Sequence, residues 1–195
     1  MSNNYQELLK ECLYKSNICH KTEILNFECI KRAHMYCKIN ALSGPITGPL
    51  IEYYIQNKYN LSKINASLCS GDFIYQNKNV ELKVSLGGVQ HNKFNYVQIR
   101  LNHSCDYLLT AYYIHTTNIE HLGELFMFYL SKENIKELLV KYGSYAHGTV
   151  VKLGKITQQS LDDPDNNKEY CIRPKYGDNC WNEMLKYRIS HITKE

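Results

Sequence analysis

Many signatures that classify a chain at sight are missing from this one. No stretch approaches the roughly 20 apolar residues that a membrane-spanning helix needs, so no membrane association is expected. The first residues hold no apolar run suited to a secretory signal, and a reducing, cytoplasmic setting is the expectation. The eight cysteines, at 12, 19, 29, 37, 69, 105, 171 and 180, include no Cys-x-x-Cys pair, so free thiols are expected. A glycine-rich phosphate loop, a nucleophile elbow and a dinucleotide fingerprint are all absent, as are internal repeats and low-complexity tracts. Arginine is scarce, with four residues against seventeen tyrosines and abundant Asn, Lys and Ile. That bias looks like an AT-rich coding sequence and says nothing about activity.

What is present fits one folded domain. The 195 residues are 44% hydrophobic, enough for one buried core and short of two independent ones. A formal charge of +4 is a mild basic excess that suits a polyanionic partner.

The order of elements follows from periodicity. Leu8, Leu9, Cys12 and Leu13 form one helical stripe, and the segment from Ile24 to Cys37 forms a second. The run "ALSGPITGPLIEYYIQNKY" restarts a helix, expected to be capped at Thr47 or Gly48 with Pro49 at its first position and Glu52 in its first turn. From residue 71 the period becomes two, giving "GDFIY", "VELKVS", "FNYVQIRL", "DYLLTAYYIH" and "ELFMFYL" as strands. Ser131 then caps a helix over "KENIKELLVKY", and a closing helix is expected near "NCWNEMLKYRI". The fold class is therefore α/β, a mixed central sheet flanked by helices. Residues 1–42 supply N-terminal helices, 43–130 a core, and 131–195 C-terminal helices and loops.

The chemistry concentrates in "GDFIYQNKNVELKVS". Folded as a hairpin with Asn77-Lys78 at its tip, it sets Asp72 opposite Lys83 and Ile74 opposite Glu81. Asp72, Glu81 and Lys83 then share one face, and Phe73, Tyr75, Val80, Leu82 and Val84 share the other. Two neighbouring carboxylates repel unless a cation lies between them, and hard oxygen donors favour magnesium. A bound magnesium with an adjacent lysine is sufficient equipment for phosphodiester hydrolysis. In "FNYVQIRL", alternation puts Gln98 and Arg100 on one face, where they extend the same polar surface.

This arrangement resembles the PD-(D/E)xK nuclease superfamily, and most closely its small type II restriction endonucleases. The resemblance rests on D-x8-E-x-K, an acidic residue on the preceding helix and a Gln on the following strand, across residues 43–130. Glu81-x-Lys83 is the only E-x-K in the chain, and it falls in a β-patterned stretch. Gly71 stands where the family's pattern has proline, a position that bears no chemistry. The resemblance implies a restriction-endonuclease-like core in which Asp72 and Glu81 ligate magnesium, Lys83 acts on the attacking water, Gln98 joins the catalytic face and Glu52 completes the metal shell. It also implies double-stranded DNA as substrate, a role in restriction, and a homodimer to cut both strands.

Other polar segments are candidates for DNA contact. The loop "GGVQHNKFNY" offers Gln90, His91, Asn92, Lys93 and Asn95, whose amides and ammonium suit base edges and phosphates. "KYGSYAHGTVVK" adds Lys141, Ser144, Tyr145 and His147, and "IRPKY" adds Arg173 and Lys175. Cys29, His34 and Cys37, with Cys19 and His20 upstream, have the elements of a zinc site, but Cys29, Ile30 and Ala33 also fit a buried helical stripe.

Overall fold

The order of hydrophobic stripes in the chain is carried through into a mixed α/β architecture, seen in a computed structural model that describes residues 23–65, 68, 70–87, 93–113 and 123–193. The stripe at residues 8–13 lies outside the described residues. The second stripe divides into a 3-10 turn, Glu23–Asn26, and helix α1, Ile30–Ile39. Helix α2 spans Gly44–Tyr59 and ends at Asn60, whose left-handed conformation stops it.

Helix α2 starts a turn earlier than the expected Thr47 or Gly48 cap. Ser43 is the N-cap, Pro45 lies in the first turn and Pro49 is inside the helix. The reason lies in the glycine before each proline. Proline disfavours helical geometry in the residue ahead of it through a clash involving that residue's Cβ, and Gly44 and Gly48 have none. The first Gly-Pro pair therefore begins the helix and the second does not interrupt it. Glu52 consequently lies beyond the first turn.

Among the described residues eight strands form two sheets. Strands β1 (Phe73–Tyr75), β2 (Lys78–Leu86), β4 (Asp106–Tyr113), β5 (Glu124–Leu130) and β8 (Arg188–Ile189) make a five-stranded sheet in the order β1-β2-β4-β5-β8. The β2–β4 pair is parallel, and β1–β2, β4–β5 and β5–β8 are antiparallel. Strand β3 (Tyr96–Arg100) does not continue this sheet, as its place in the chain suggested. It joins β7 (Glu169–Ile172) and β6 (Gly143–Tyr145) in a second sheet, order β3-β7-β6. Strands β6 and β7 are too short for period-two alternation to stand out from the irregular C-terminal third.

Each face of the large sheet carries its own core. Val80, Leu82, Leu108 and Met127 pack beneath α1 and α2 on one side. On the other, Tyr107, Leu109, Phe126 and Phe128 meet Tyr96, Ile99 and Tyr170 of the small sheet and Trp181 of helix α6 (Asn179–Met184). Helix α3 (Lys132–Tyr142) adds Ile135, Leu138 and Leu139 to that core and is held at its start by a reciprocal capping box between Ser131 and Asn134. Two one-turn helices, α4 (Val150–Leu153) and α5 (Gln158–Leu161), lie between β6 and β7, and a 3-10 turn, Leu185–Tyr187, leads into β8. Among the described residues no helix is long and apolar enough to cross a membrane.

Candidate active site

The hairpin that carries Asp72 and Glu81 turns one residue earlier than expected. Its central residues are Gln76 and Asn77, both with positive φ (50° and 59°), as a two-residue I′-type turn requires. The resulting register pairs Phe73 with Val80, Ile74 with Asn79 and Tyr75 with Lys78. Moving the turn by one residue shifts every cross-strand pair by two, so each side chain keeps its face. Asp72 lies just beyond this register, its N–H returning to the Val80 carbonyl, and its carboxyl feels the Glu81 charge.

Gly71 makes that return possible. Its φ is +97°, and a Cβ there would lie 2.7 Å from the carbonyl carbon and oxygen of Val80. The Asp72 N–H donates to the Val80 carbonyl (2.8 Å), and the Leu82 N–H donates to Asp72 Oδ2 (2.7 Å). The residue ahead of Asp72 is thus held to glycine by contact with β2. Gly71→Ala is expected to cost roughly 1–3 kcal/mol, the sum of left-handed strain and a backbone clash, measurable by urea denaturation.

Glu52, Asp72, Glu81, Lys83 and Gln98 all line one cleft of about 600 Å³, together with Asn95, Val97 and the α2 residues Gly44, Pro45, Gly48 and Pro49. Lys83 Nζ donates to Glu81 Oε1 at 2.7 Å. Gln56, one turn beyond Glu52, donates through Nε2 to Glu52 Oε1 (2.9 Å) and to the Asp72 carbonyl (3.2 Å), fixing the helix to the hairpin. Burial raises the Asp72 carboxyl to about 7; the charges of Glu81 and Glu52 push the same way, while the Leu82 N–H and Lys83 oppose them.

Gln98 reaches the cleft by a route that alternation did not predict. Between Tyr96 and Ile99 the β3–β7 register shifts, with Tyr96 opposite Ile172 and Ile99 opposite Tyr170. Three steps on β3 against two on β7 leave one extra residue, a bulge, and Gln98 takes φ +56° within it. Val97 and Gln98 are therefore both exposed on the cleft side. Arg100 falls outside: it lies opposite Glu169 and binds it through Nε at 2.7 Å, so the expected shared face with Gln98 does not form.

The expected DNA contacts divide in the same way. Gln90, His91 and Asn92 lie outside the described residues. Lys93, Asn95, Arg173 and Lys175 are exposed, and Lys93 and Lys175 oppose each other in an isolated bridge. Arg173 donates to Asn95 Oδ1 (3.0 Å) and Ser144 Oγ (2.9 Å), and Ser85 Oγ accepts the Asn95 N–H (2.9 Å), tying this edge to β2. Lys141 is half-exposed, 3.5 Å from Glu183, and the exposed His147 lies 3.2 Å from Glu169. Tyr145 is no surface contact. It is buried, and its hydroxyl donates to the Leu153 and Gly154 carbonyls, because the chain after α3 enters the small sheet instead of looping outward.

Among the described residues the Cys29, His34, Cys37 trio gathers no metal site, and Cys19 and His20 lie outside the described residues. His34 is fully buried, bonded to the Ile30 carbonyl and Thr110 Oγ1, and burial lowers its pKa to about 4. Cys37 is buried and Cys29 exposed. The residues that periodicity missed are His103 and Cys105. Their ligand atoms and a Glu81 oxygen all lie within 4.8 Å of one another. Burial pushes the Cys105 thiol up to about 12, with Glu81 adding to the effect, and burial also holds His103 below the usual imidazole value. No sequence signal pairs His103 and Cys105 with Glu81, since the proximity comes from the parallel β2–β4 register, Val80 against Asp106.

Glu52, Asp72 and Glu81 bring carboxylate oxygens to the cleft, but among the described residues they are not a group whose ligand atoms all lie within 4.8 Å of one another. Three carboxylates, Glu52, Asp72 and Glu81, face one ammonium, Lys83, which leaves two negative charges when all are ionised. Magnesium takes carboxylate oxygens, usually from one or two side chains beside the waters it keeps.

No protein-family model matches this chain, and neither a curated protein nor a solved structure matches it.

Proposed function

We propose that the chain is a magnesium-dependent endonuclease of restriction-endonuclease-like fold that hydrolyses phosphodiester bonds in double-stranded DNA. The observation that carries this reading is the convergence of Glu52, Asp72, Glu81, Lys83 and Gln98, from one helix, one hairpin and a strand of another sheet, on a single cleft. A merely solvated strand face would not need glycine's close approach at position 71 or the bulge that presents Gln98 to the cleft.

Asp72 and Glu81 would hold the magnesium, with Glu52 completing its surroundings. When bound, the ion supplies positive charge against the scissile phosphate and a more acidic water. Lys83, fixed on Glu81, would position the attacking water by donating to it from its ammonium. Gln98 offers an amide to the water or the phosphate. Gln56 keeps Glu52 and the Asp72 backbone in register. The low wall of α2, glycine and proline along the cleft, leaves room for a sugar-phosphate strand.

DNA would reach the cleft across the edge formed by Lys93, Asn95, Arg173 and Lys175. Two lysines directly opposite each other repel unless a polyanion lies over them. Arg173→Ala is expected to weaken duplex binding about tenfold and to reduce the salt dependence by about one phosphate contact, measured by anisotropy in calcium at several salt concentrations.

Cutting both strands needs two such sites or two visits, so a homodimer suits the restriction role. The test of that role is digestion of unmethylated plasmid and phage DNA with magnesium, followed by sequencing of the ends. Discrete fragments with a common terminal sequence support sequence-specific cutting. Cleavage only at junctions, flaps or nicks assigns the same site to DNA repair or processing. Intact DNA, with binding unchanged by EDTA, makes the chain a nucleic-acid-binding protein.

A further inference from the structure

We propose that Glu81, His103 and Cys105 form a second metal site, selective for a soft divalent cation such as zinc, and that filling it withdraws Glu81 from the cleft. Glu81 links the two sites. One of its oxygens, Oε1, accepts from Lys83 on the cleft side, and the other, Oε2, lies 3.9 Å from His103 Nδ1. Glu81 and Lys83 line the cleft, whereas His103 and Cys105 are not among its lining residues.

The three donors are already gathered and shielded. Their ligand atoms lie within 4.8 Å of one another, and the His103 and Glu81 side chains are 13% and 16% exposed. Tetrahedral zinc with bonds of about 2.0–2.3 Å sets its ligands roughly 3.3–3.8 Å apart, so closing on the ion needs about 1 Å of side-chain movement. Cys105 is buried but aimed at these two polar groups, while Cys37, Cys171 and Cys180 are buried outside any such cluster among the described residues. Thiolate, imidazole and carboxylate together prefer zinc or cobalt to magnesium, in contrast to the all-carboxylate set across the cleft. On binding, the Cys105 S–H bond breaks, its proton leaves to solvent and the Sγ–metal bond forms. No redox partner is required.

The consequence is competition between two metals through one carboxylate. A soft ion on Oε2 places positive charge beside Lys83 and draws Glu81 away from Asp72, so zinc inhibits magnesium-dependent cleavage. The metal site itself does not depend on the nuclease reading; the inhibition does.

The experiment titrates the full chain with cobalt(II) alone, and then measures cleavage against zinc at fixed magnesium. Wild type is expected to develop a near-ultraviolet thiolate-to-cobalt band saturating at one equivalent. Cys105→Ser is expected to lose the band and His103→Gln to bind cobalt roughly 100-fold more weakly, at least the cost of losing an outer-shell partner. Far-ultraviolet circular dichroism checks that both variants fold; if Cys105→Ser does not, His103→Gln carries the comparison. The zinc concentration that halves each protein's own cleavage rate is expected to rise by a similar factor in both variants. No thiolate band in wild type, or a band unchanged in both variants, overturns the site. Equal zinc sensitivity in all three proteins overturns the competition. If wild type binds cobalt through Cys105 but cuts no DNA, the nuclease reading fails and the metal site stands.

Discussion

Asp72→Asn is expected to yield a protein that is more stable than wild type and almost inactive. The folded state raises the Asp72 carboxyl from 3.8 to about 7, mainly by burial and then by the Glu81 charge. A raised acid contributes its full stability below the ordinary carboxylate range and loses it as pH rises through the folded value. The cost of keeping Asp72 ionised is therefore small at pH 4 and complete above about pH 8, on the order of 2–4 kcal/mol. Asparagine removes the charge and can still accept the Leu82 N–H that Asp72 Oδ2 now takes. The variant's advantage should grow across that pH window to a rise in Tm of roughly 4–10 °C, read by thermal unfolding without metal. Magnesium should then raise the wild-type Tm and leave the variant's unchanged. Cleavage should fall by about 10³-fold or more, the loss of some 4 kcal/mol of transition-state stabilisation. Because magnesium and a proton compete for Asp72, the magnesium concentration that half-saturates wild type should rise about tenfold per pH unit below 7.

The second large effect falls on Lys83. Lys83→Ala should reduce cleavage by roughly 10²–10⁴-fold, the range for losing a positioned acid-base group, while duplex affinity in calcium changes by less than about threefold. Lys83 Nζ is spent on Glu81 at 2.7 Å, and both side chains are only about one-sixth exposed, 15% and 16%. It has little freedom to act as a general phosphate anchor. Removing it also leaves the Glu81 charge acting on Asp72 without its ammonium, at a stability cost of roughly 1–3 kcal/mol that magnesium should partly restore. A protein that only binds DNA would show the reverse pattern, a loss of affinity with no cleavage to lose.

The hairpin that carries Asp72 and Glu81 was legible in the sequence because strand faces are robust to even shifts. The turn falls at Gln76-Asn77 rather than Asn77-Lys78, yet a two-residue change of register leaves Asp72, Glu81 and Lys83 on one side. The five strands and the Ser131 cap were legible for the same kind of reason: their signals are local. Gly71 could be seen only as a departure from a family pattern, since its function is contact with the Val80 backbone. Arg100 was misplaced because alternation assumes a regular strand, and the bulge at Val97 and Gln98 breaks it. Tyr145 reads as a loop residue in the sequence because a three-residue strand has no period to detect. His103 and Cys105 were invisible as neighbours of Glu81 for a different reason. Their meeting depends on a parallel pairing between strands separated by β3, which no short-range pattern encodes.

The most direct test of the account is cleavage of supercoiled plasmid by wild type in magnesium, in EDTA, and by Lys83→Ala in magnesium, with calcium-supported DNA binding measured on the same samples. The account predicts cutting by wild type in magnesium alone, with both proteins binding DNA. Cutting that persists in EDTA or in Lys83→Ala, or no cutting by folded wild type, would contradict it.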